Sequence, residues 1–96
     1  MTKSQLIQEV MKRSNTLSQP EAKTIVDTIF SSMTQALTKG EKIEVRDFGN
    51  FKVRSYQSYQ GRNPRTGDKV EVAPKNLPHF RAGKELKERV DNPTSG

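Results

Sequence analysis

Two arginines crowd one proline in Gly61-Arg62-Asn63-Pro64-Arg65-Thr66-Gly67, and this heptapeptide carries the chain's most distinctive chemistry. A guanidinium offers a rigid fork of N–H donors that matches phosphate oxygens, while proline is a stiff apolar ring. A turn needs only the glycines and the Asn-Pro pair. It does not need two like charges beside the proline, which repel unless an anion lies between them. From Phe48 to Gly67 there is no acidic residue, whereas Lys52, Arg54, Arg62 and Arg65 are basic. One reading is a solvated turn whose arginines serve solubility. The other is the tip of an arm that enters a groove of duplex DNA, with cations on the phosphates and Pro64 as a wedge between base pairs. Unstacking a step costs a few kcal/mol, so the wedge is worthwhile only if the bend brings more phosphate onto the protein. Lys75, Lys84 and Lys87 are placed to receive it.

Other chemistry has little to build on. His79 is the sole histidine, and no nucleophile or carboxylate pair accompanies it, so a structural or supporting role outweighs general-base work. There is no cysteine, which removes disulfides and thiolate metal sites, and the remaining ligands are too few for a metal. Neither a P-loop nor a GxGxxG pattern occurs. The expectation is a protein that is not an enzyme, with no cofactor and no small-molecule substrate. No run approaches the ~18 apolar residues of a membrane span, and the N-terminus lacks a signal-peptide core. No membrane partner is expected, and a cytoplasmic location is. Seventeen Lys and Arg against eleven Asp and Glu leave a net charge of +6, which favours a polyanionic partner over a merely well-solvated basic surface.

The elements that must hold the arm follow from period and caps. Thr2 with Gln5 and Ser18 with Glu21 have capping-box spacing. Leu6, Ile7, Val10 and Met11 predict a first helix over about 3–13. Ala22, Ile25, Val26, Ile29, Phe30, Met33, Ala36 and Leu37 predict a second, closed by Gly40. That stripe is broad enough to be either an ordinary core face or a dimer seam. With only 30% hydrophobic residues in 96, a core shared between two chains by two-fold symmetry is favoured. After Gly40 the period changes to two: Ile43 and Val45 predict a strand, Phe48-Gly49-Asn50 a turn, and Phe51 and Val53 the start of a second strand. Residues 54–60 are then polar on both faces apart from Tyr56 and Tyr59, which suits extended backbone but not a core. Val70 and Val72 mark the return strand, ended by Pro74. The simplest geometry is a two-stranded ribbon over about 54–74, mobile until it finds a partner. Leu77, Pro78 and Phe80 bring the chain back to the body. A short last helix then runs from about Lys84 to Val90, and a frayed tail covers 91–96. No repeat or linker divides the chain, so 1–96 reads as one domain.

Phe48-Gly49-Asn50-Phe51, the Gly61–Gly67 heptapeptide and Phe80-Arg81-Ala82-Gly83-Lys84-Glu85-Leu86 together resemble the HU/IHF family of bacterial histone-like, nucleoid-associated DNA-bending proteins. The resemblance spans nearly the whole chain. It implies an α+β fold with an N-terminal helical hairpin, a three-stranded antiparallel sheet extended by a long β-ribbon arm, and a short C-terminal helix, in an intertwined dimer. It also implies architectural binding of double-stranded DNA through the minor groove, with intercalation by Pro64 and arm contacts from Arg54, Tyr56, Tyr59, Arg62, Asn63, Arg65, Lys69 and Lys75. Body contacts would come from Lys3, Lys42, Lys84 and Lys87. Met1-Thr2-Lys3-Ser4, Gly67-Asp68-Lys69-Val70-Glu71 and Pro78-His79-Phe80 look closest to the beta-type chains of the integration host factor branch. There, by resemblance, Arg46 would meet the minor groove and Glu44 would orient it. The alternatives are an HU-like homodimer that compacts DNA without site preference and, more remotely, an RNA-binding or ribosome-associated basic protein. Dimerisation with itself or with an alpha-type partner stays open. Three positions depart from the family pattern. Asp47 stands where glycine is usual, and Tyr56 and Tyr59 replace basic arm residues, which implies a shallower salt dependence of binding by up to ~0.9 per lost contact.

Overall fold

A computed structural model describes residues 1–57 and 59–92, with the side chain of Tyr59 excluded. Within it the chain forms two compact units, 1–36 and 37–96.

The first unit is built on two capped helices. In α1 (Lys3–Arg13) Thr2 Oγ1 accepts the Gln5 N–H at 3.2 Å while Gln5 Oε1 accepts the Thr2 N–H at 2.9 Å, completing the expected capping box. Ser18 and Glu21 repeat the arrangement at the start of α2 (Gln19–Thr38), with hydrogen bonds of 3.3 and 3.0 Å. Helical spacing brings Ile7 of α1 against Ala22 and Val26 of α2, with Leu6, Val10 and Met11 packed around them. Ala22 is fully buried, and its small side chain lets the two helices close on each other. The broad stripe is therefore only partly used within the chain. Its Ala22–Val26 edge meets α1, while Ile25, Ile29 and Phe30 remain 41, 52 and 44% exposed. Among the described residues Ile7, Ala22 and Val26 are the only buried hydrophobic side chains.

The second unit follows Gly40, whose φ of +77° gives the left-handed residue expected after a helix. Strands β1 (Ile43–Val45), β2 (Gly49–Tyr56) and β5 (Lys75–Ala82) form an antiparallel sheet in the order β1-β2-β5. Strands β3 (Tyr59–Arg62) and β4 (Lys69–Val72) form a separate antiparallel pair. The last helix is α3 (Lys84–Asp91). Ile43↔Phe51 and Phe51↔Phe80 are direct cross-strand partners, so they share one face. There the Phe80 ring stacks at a tilt between Phe51 and Phe48, at 4.7 and 5.5 Å between centroids. Gly49 permits this approach, because a Cβ at that position would lie 2.6 Å from the Phe80 ring and from the Arg81 carbonyl.

Three local expectations are corrected. The turn falls at Arg46–Phe48, two residues earlier than predicted, and Gly49 and Asn50 already belong to β2. The return to the body is itself an eight-residue strand, β5, which tolerates Pro78 because it lies at the sheet edge, where no ladder partner needs the missing N–H. Asp91 lies within α3, and Asn92 donates its backbone N–H to Glu88 O at 3.0 Å, so the helix outlasts the expected start of the tail. The rest of that predicted tail, 93–96, lies outside the described residues.

Candidate nucleic-acid interface

Strand alternation sorts the basic residues. Pairing runs Asn50↔Arg81, Lys52↔His79, Arg54↔Leu77 and Tyr56↔Lys75 on the face opposite Phe51 and Phe80, with Glu44 beside Asn50. Three residues further along each strand the ladder resumes as Tyr59↔Val72 and ends at Arg62↔Lys69, so β3–β4 continues the register of β2–β5. The interruption contains Pro74, which has no N–H to donate. Within β3–β4, Gln60, Arg62, Lys69 and Glu71 share one face of that pair. Arg62 and Lys69 stand directly opposite each other, an unfavourable like-charge pair in the isolated ribbon that a phosphate between them would relieve.

The tip is pinned by its own hydrogen bonds. Asn63 N–H donates to Asp68 O at 2.8 Å and Gly67 N–H to Asn63 O at 2.7 Å, while Asn63 Oδ1 accepts the Arg65 N–H at 2.8 Å. Gly67 adopts φ +75°, and Thr66 Oγ1 accepts the Asp68 N–H at 3.3 Å. Arg62 reaches along the loop to the Gly67 carbonyl at 3.4 Å. Pro64 and Arg65 are left exposed at the end, and Asn63 is half-buried beneath them. The two-glycine frame thus shapes a closed loop with a rigid ring outermost.

The body cations are differently placed. Lys3 binds Asp27 at 2.7 Å, and Lys23 binds the other oxygen of that carboxylate at 2.6 Å. These hydrogen bonds, from Lys23 first and then Lys3, hold the Asp27 carboxyl below its ordinary range. The Ser18 backbone N–H, and after it the Ser18 hydroxyl, do the same for Glu21. Lys42 pairs with Glu44 at 3.1 Å, and Lys84 approaches Glu88 at 3.9 Å. Glu44 therefore engages Lys42 here, and among the described residues it forms no ion pair with Arg46. Arg46, Lys84 and Lys87 instead line one cleft of the second unit together with Asn50 and Arg81, where Asp47, Glu85 and Glu88 supply the acidic groups. Asp47 has φ +67°, the left-handed conformation that glycine adopts without cost. This is the backbone behaviour that a departure from glycine at that position put in question.

Lys52, Arg81 and His79 join the polar face although the sequence reading did not propose them as contacts. Lys52 could have been found from its alternation with Phe51 and Val53, whereas Arg81 and His79 required β5 to be recognised. Tyr59 lies in β3, but its side chain is outside what is described. Among the described residues no group of three His, Cys, Asp or Glu side chains converges to hold a metal. None of the described helices is long and apolar enough to cross a membrane.

A sheet extended into a basic ribbon, in a chain that also carries a capped helical pair, defines an HU-like fold, and comparison with known proteins agrees. Residues 1–91 match the model of the bacterial DNA-binding protein family, and the chain belongs to that family, HU/IHF. It is 46% identical over 91 residues to integration host factor subunit beta of Histophilus somni, covering 95% of this chain and 97% of that one. It is 45% identical over the same length to the Haemophilus influenzae subunit beta, with the same coverage. Among solved structures, the chain resembles HU from an Anabaena HU–DNA cocrystal with a TM-score of 0.83 at 29% identity, covering 94% of this chain and 97% of that one. HU from Thermotoga maritima matches with a TM-score of 0.66 at 33% identity, covering 94% and 98%.

Proposed function

We propose that this protein is an architectural DNA-binding protein of the integration host factor type, acting as a dimer on the nucleoid in the cytoplasm and bending duplex DNA through minor-groove arms. The observation that carries the reading is the row of cations on the two strand pairs of the ribbon. Lys52, Arg54, Tyr56 and Lys75 share one face of β2–β5, Arg62 and Lys69 face each other on β3–β4, and that second pair leads to an exposed Pro64. Each cation that meets a phosphate releases condensed counterions. Pro64, held stiff by the Asn63–Asp68 and Asn63–Gly67 hydrogen bonds, would enter a base step from the minor groove and unstack it. Asn63 and Arg65 would sit at the walls of the opened groove. The kinked duplex would then fold back toward Lys3, Lys42, Lys84 and Lys87, and Arg46 would enter the minor groove nearby. Glu44, held by Lys42, would have to exchange that partner to orient Arg46.

Dimerisation answers a physical shortage. A helix exposing Ile25, Ile29 and Phe30, with three buried hydrophobic side chains among the described residues, needs a second apolar surface. A second subunit, either another copy or an alpha-type relative, supplies it. Site preference would come mainly from groove width and deformability. The HU-like reading, a homodimer without site preference, keeps its place through the structural likeness to HU. No catalysis, cofactor or small-molecule substrate enters the proposal.

Native mass determination of the purified chain, followed by titration onto a duplex of about 30 base pairs, tests it. The expected result is a dimer and one dimer per duplex, with affinity falling steeply as salt rises. A monomer at micromolar concentration that leaves the duplex unbound at moderate salt would overturn it. Footprinting on random and A-tract-containing DNA separates the integration host factor and HU readings.

A further inference from the structure

Two apolar side chains interrupt the cations of the ribbon face. Tyr56 pairs with Lys75 and Leu77 with Arg54, so Tyr56 and Leu77 are diagonal neighbours on the same side of the β2–β5 ladder. Both are open to solvent, at 43 and 41%. Phe51, Val53 and Phe80 alternate to the other face, so neither Tyr56 nor Leu77 joins that aromatic cluster. Lys52 and His79 form the next row, which leaves a small apolar patch rimmed by Arg54, Lys75, Lys52 and His79.

The patch has a natural counterpart in a minor groove. The groove walls are sugar edges: deoxyribose presents C–H groups, and RNA displays a 2′-hydroxyl at the same place. We propose that Tyr56 and Leu77 read the sugar and select 2′-deoxyribose over ribose. The inference rests on the DNA-binding reading above and deepens it by naming what the arm excludes. A deoxyribose edge packs on Leu77 and on the Tyr56 ring while Arg54 and Lys75 hold the flanking phosphates. A ribose in the same position buries its hydroxyl against Leu77, which has no polar atom to receive it. An unpaired buried hydroxyl of that kind lowers affinity by about tenfold.

The test uses the full chain and three duplexes of one sequence: DNA, RNA, and a duplex carrying 2′-fluoro sugars throughout. RNA and the 2′-fluoro duplex share A-form geometry, so penalties of groove shape cancel between them and the hydroxyl remains. Wild type is expected to bind the 2′-fluoro duplex about tenfold or more tightly than RNA. Leu77→Thr, an exchange suited to an exposed strand position, should bring that ratio close to one. Tyr56→Phe should keep the ratio, because the ring and not its hydroxyl makes the contact. Equal wild-type affinities for the 2′-fluoro and RNA duplexes would overturn the proposal, and so would a preference that survives Leu77→Thr. Failure to bind duplex DNA at all would instead refute the DNA-binding reading on which the patch depends.

Discussion

Neutralising one member of the Arg62–Lys69 pair separates electrostatic anchoring from ribbon stability. The two side chains face each other directly across the last rung of the arm. In the free protein they repel, so Lys69→Gln should leave the ribbon as stable as before or slightly more so. In the complex, each cation on a phosphate contributes about 0.9 to the slope of log affinity against log salt. One substitution per chain, in a dimer, lowers that slope by about 1.8. Between 50 and 200 mM salt the ratio of wild-type to variant affinity should therefore narrow by about twelvefold. Fluorescence anisotropy with an end-labelled duplex across that range reads the slope directly. A variant that binds more weakly by a constant factor at every salt concentration would refute the reasoning, since Lys69 would then act through shape and not through counterion release.

The body supports further predictions. Asp47→Gly should raise the melting temperature by a few degrees, corresponding to about 1 kcal/mol, because glycine takes the observed φ of +67° without strain; thermal unfolding checks it. Gly49→Ala should destabilise by about 1–3 kcal/mol through the clash of its methyl group with the Phe80 ring, visible as a shift of the denaturation midpoint. Asp27 is held below its ordinary carboxyl range, so the stability its ion pairs contribute is present above the unfolded-state value near 3.8 and is lost as pH falls through the lower folded value. The stability gap between wild type and Asp27→Asn should accordingly be constant near neutral pH and shrink below about pH 4. Chemical denaturation at a series of pH values measures that gap.

Where local chemistry decides structure, the chain was legible without coordinates. Both capping boxes formed as spaced, and the Pro64 tip lies exposed between Gly61 and Gly67 as its turn residues implied. The change from helical to alternating period located β1, and the valines located β4. Strand β5 escaped a reading of pattern alone, since Pro74 stands just before it, Pro78 lies within it and its partner is set by long-range register with β2. The places of Arg81 and His79 on the polar face depend on that strand. The breadth of the α2 stripe was visible, but which part met α1 depended on packing at Ala22, and only geometry gives that. The pairing of Glu44 with Lys42 was equally out of reach, because side-chain ion pairs between neighbours leave no periodic trace.

The wedge remains the central physical claim. Energy transfer between dyes at the two ends of a short duplex reports the bend angle with wild type and with Pro64→Ala, whose methyl group is too small to fill an opened base step. A sharp wild-type bend that relaxes substantially in the variant, with folding and dimerisation unchanged, is the predicted result. The same bend angle in both proteins would contradict intercalation by Pro64 and leave the arms as purely electrostatic clamps.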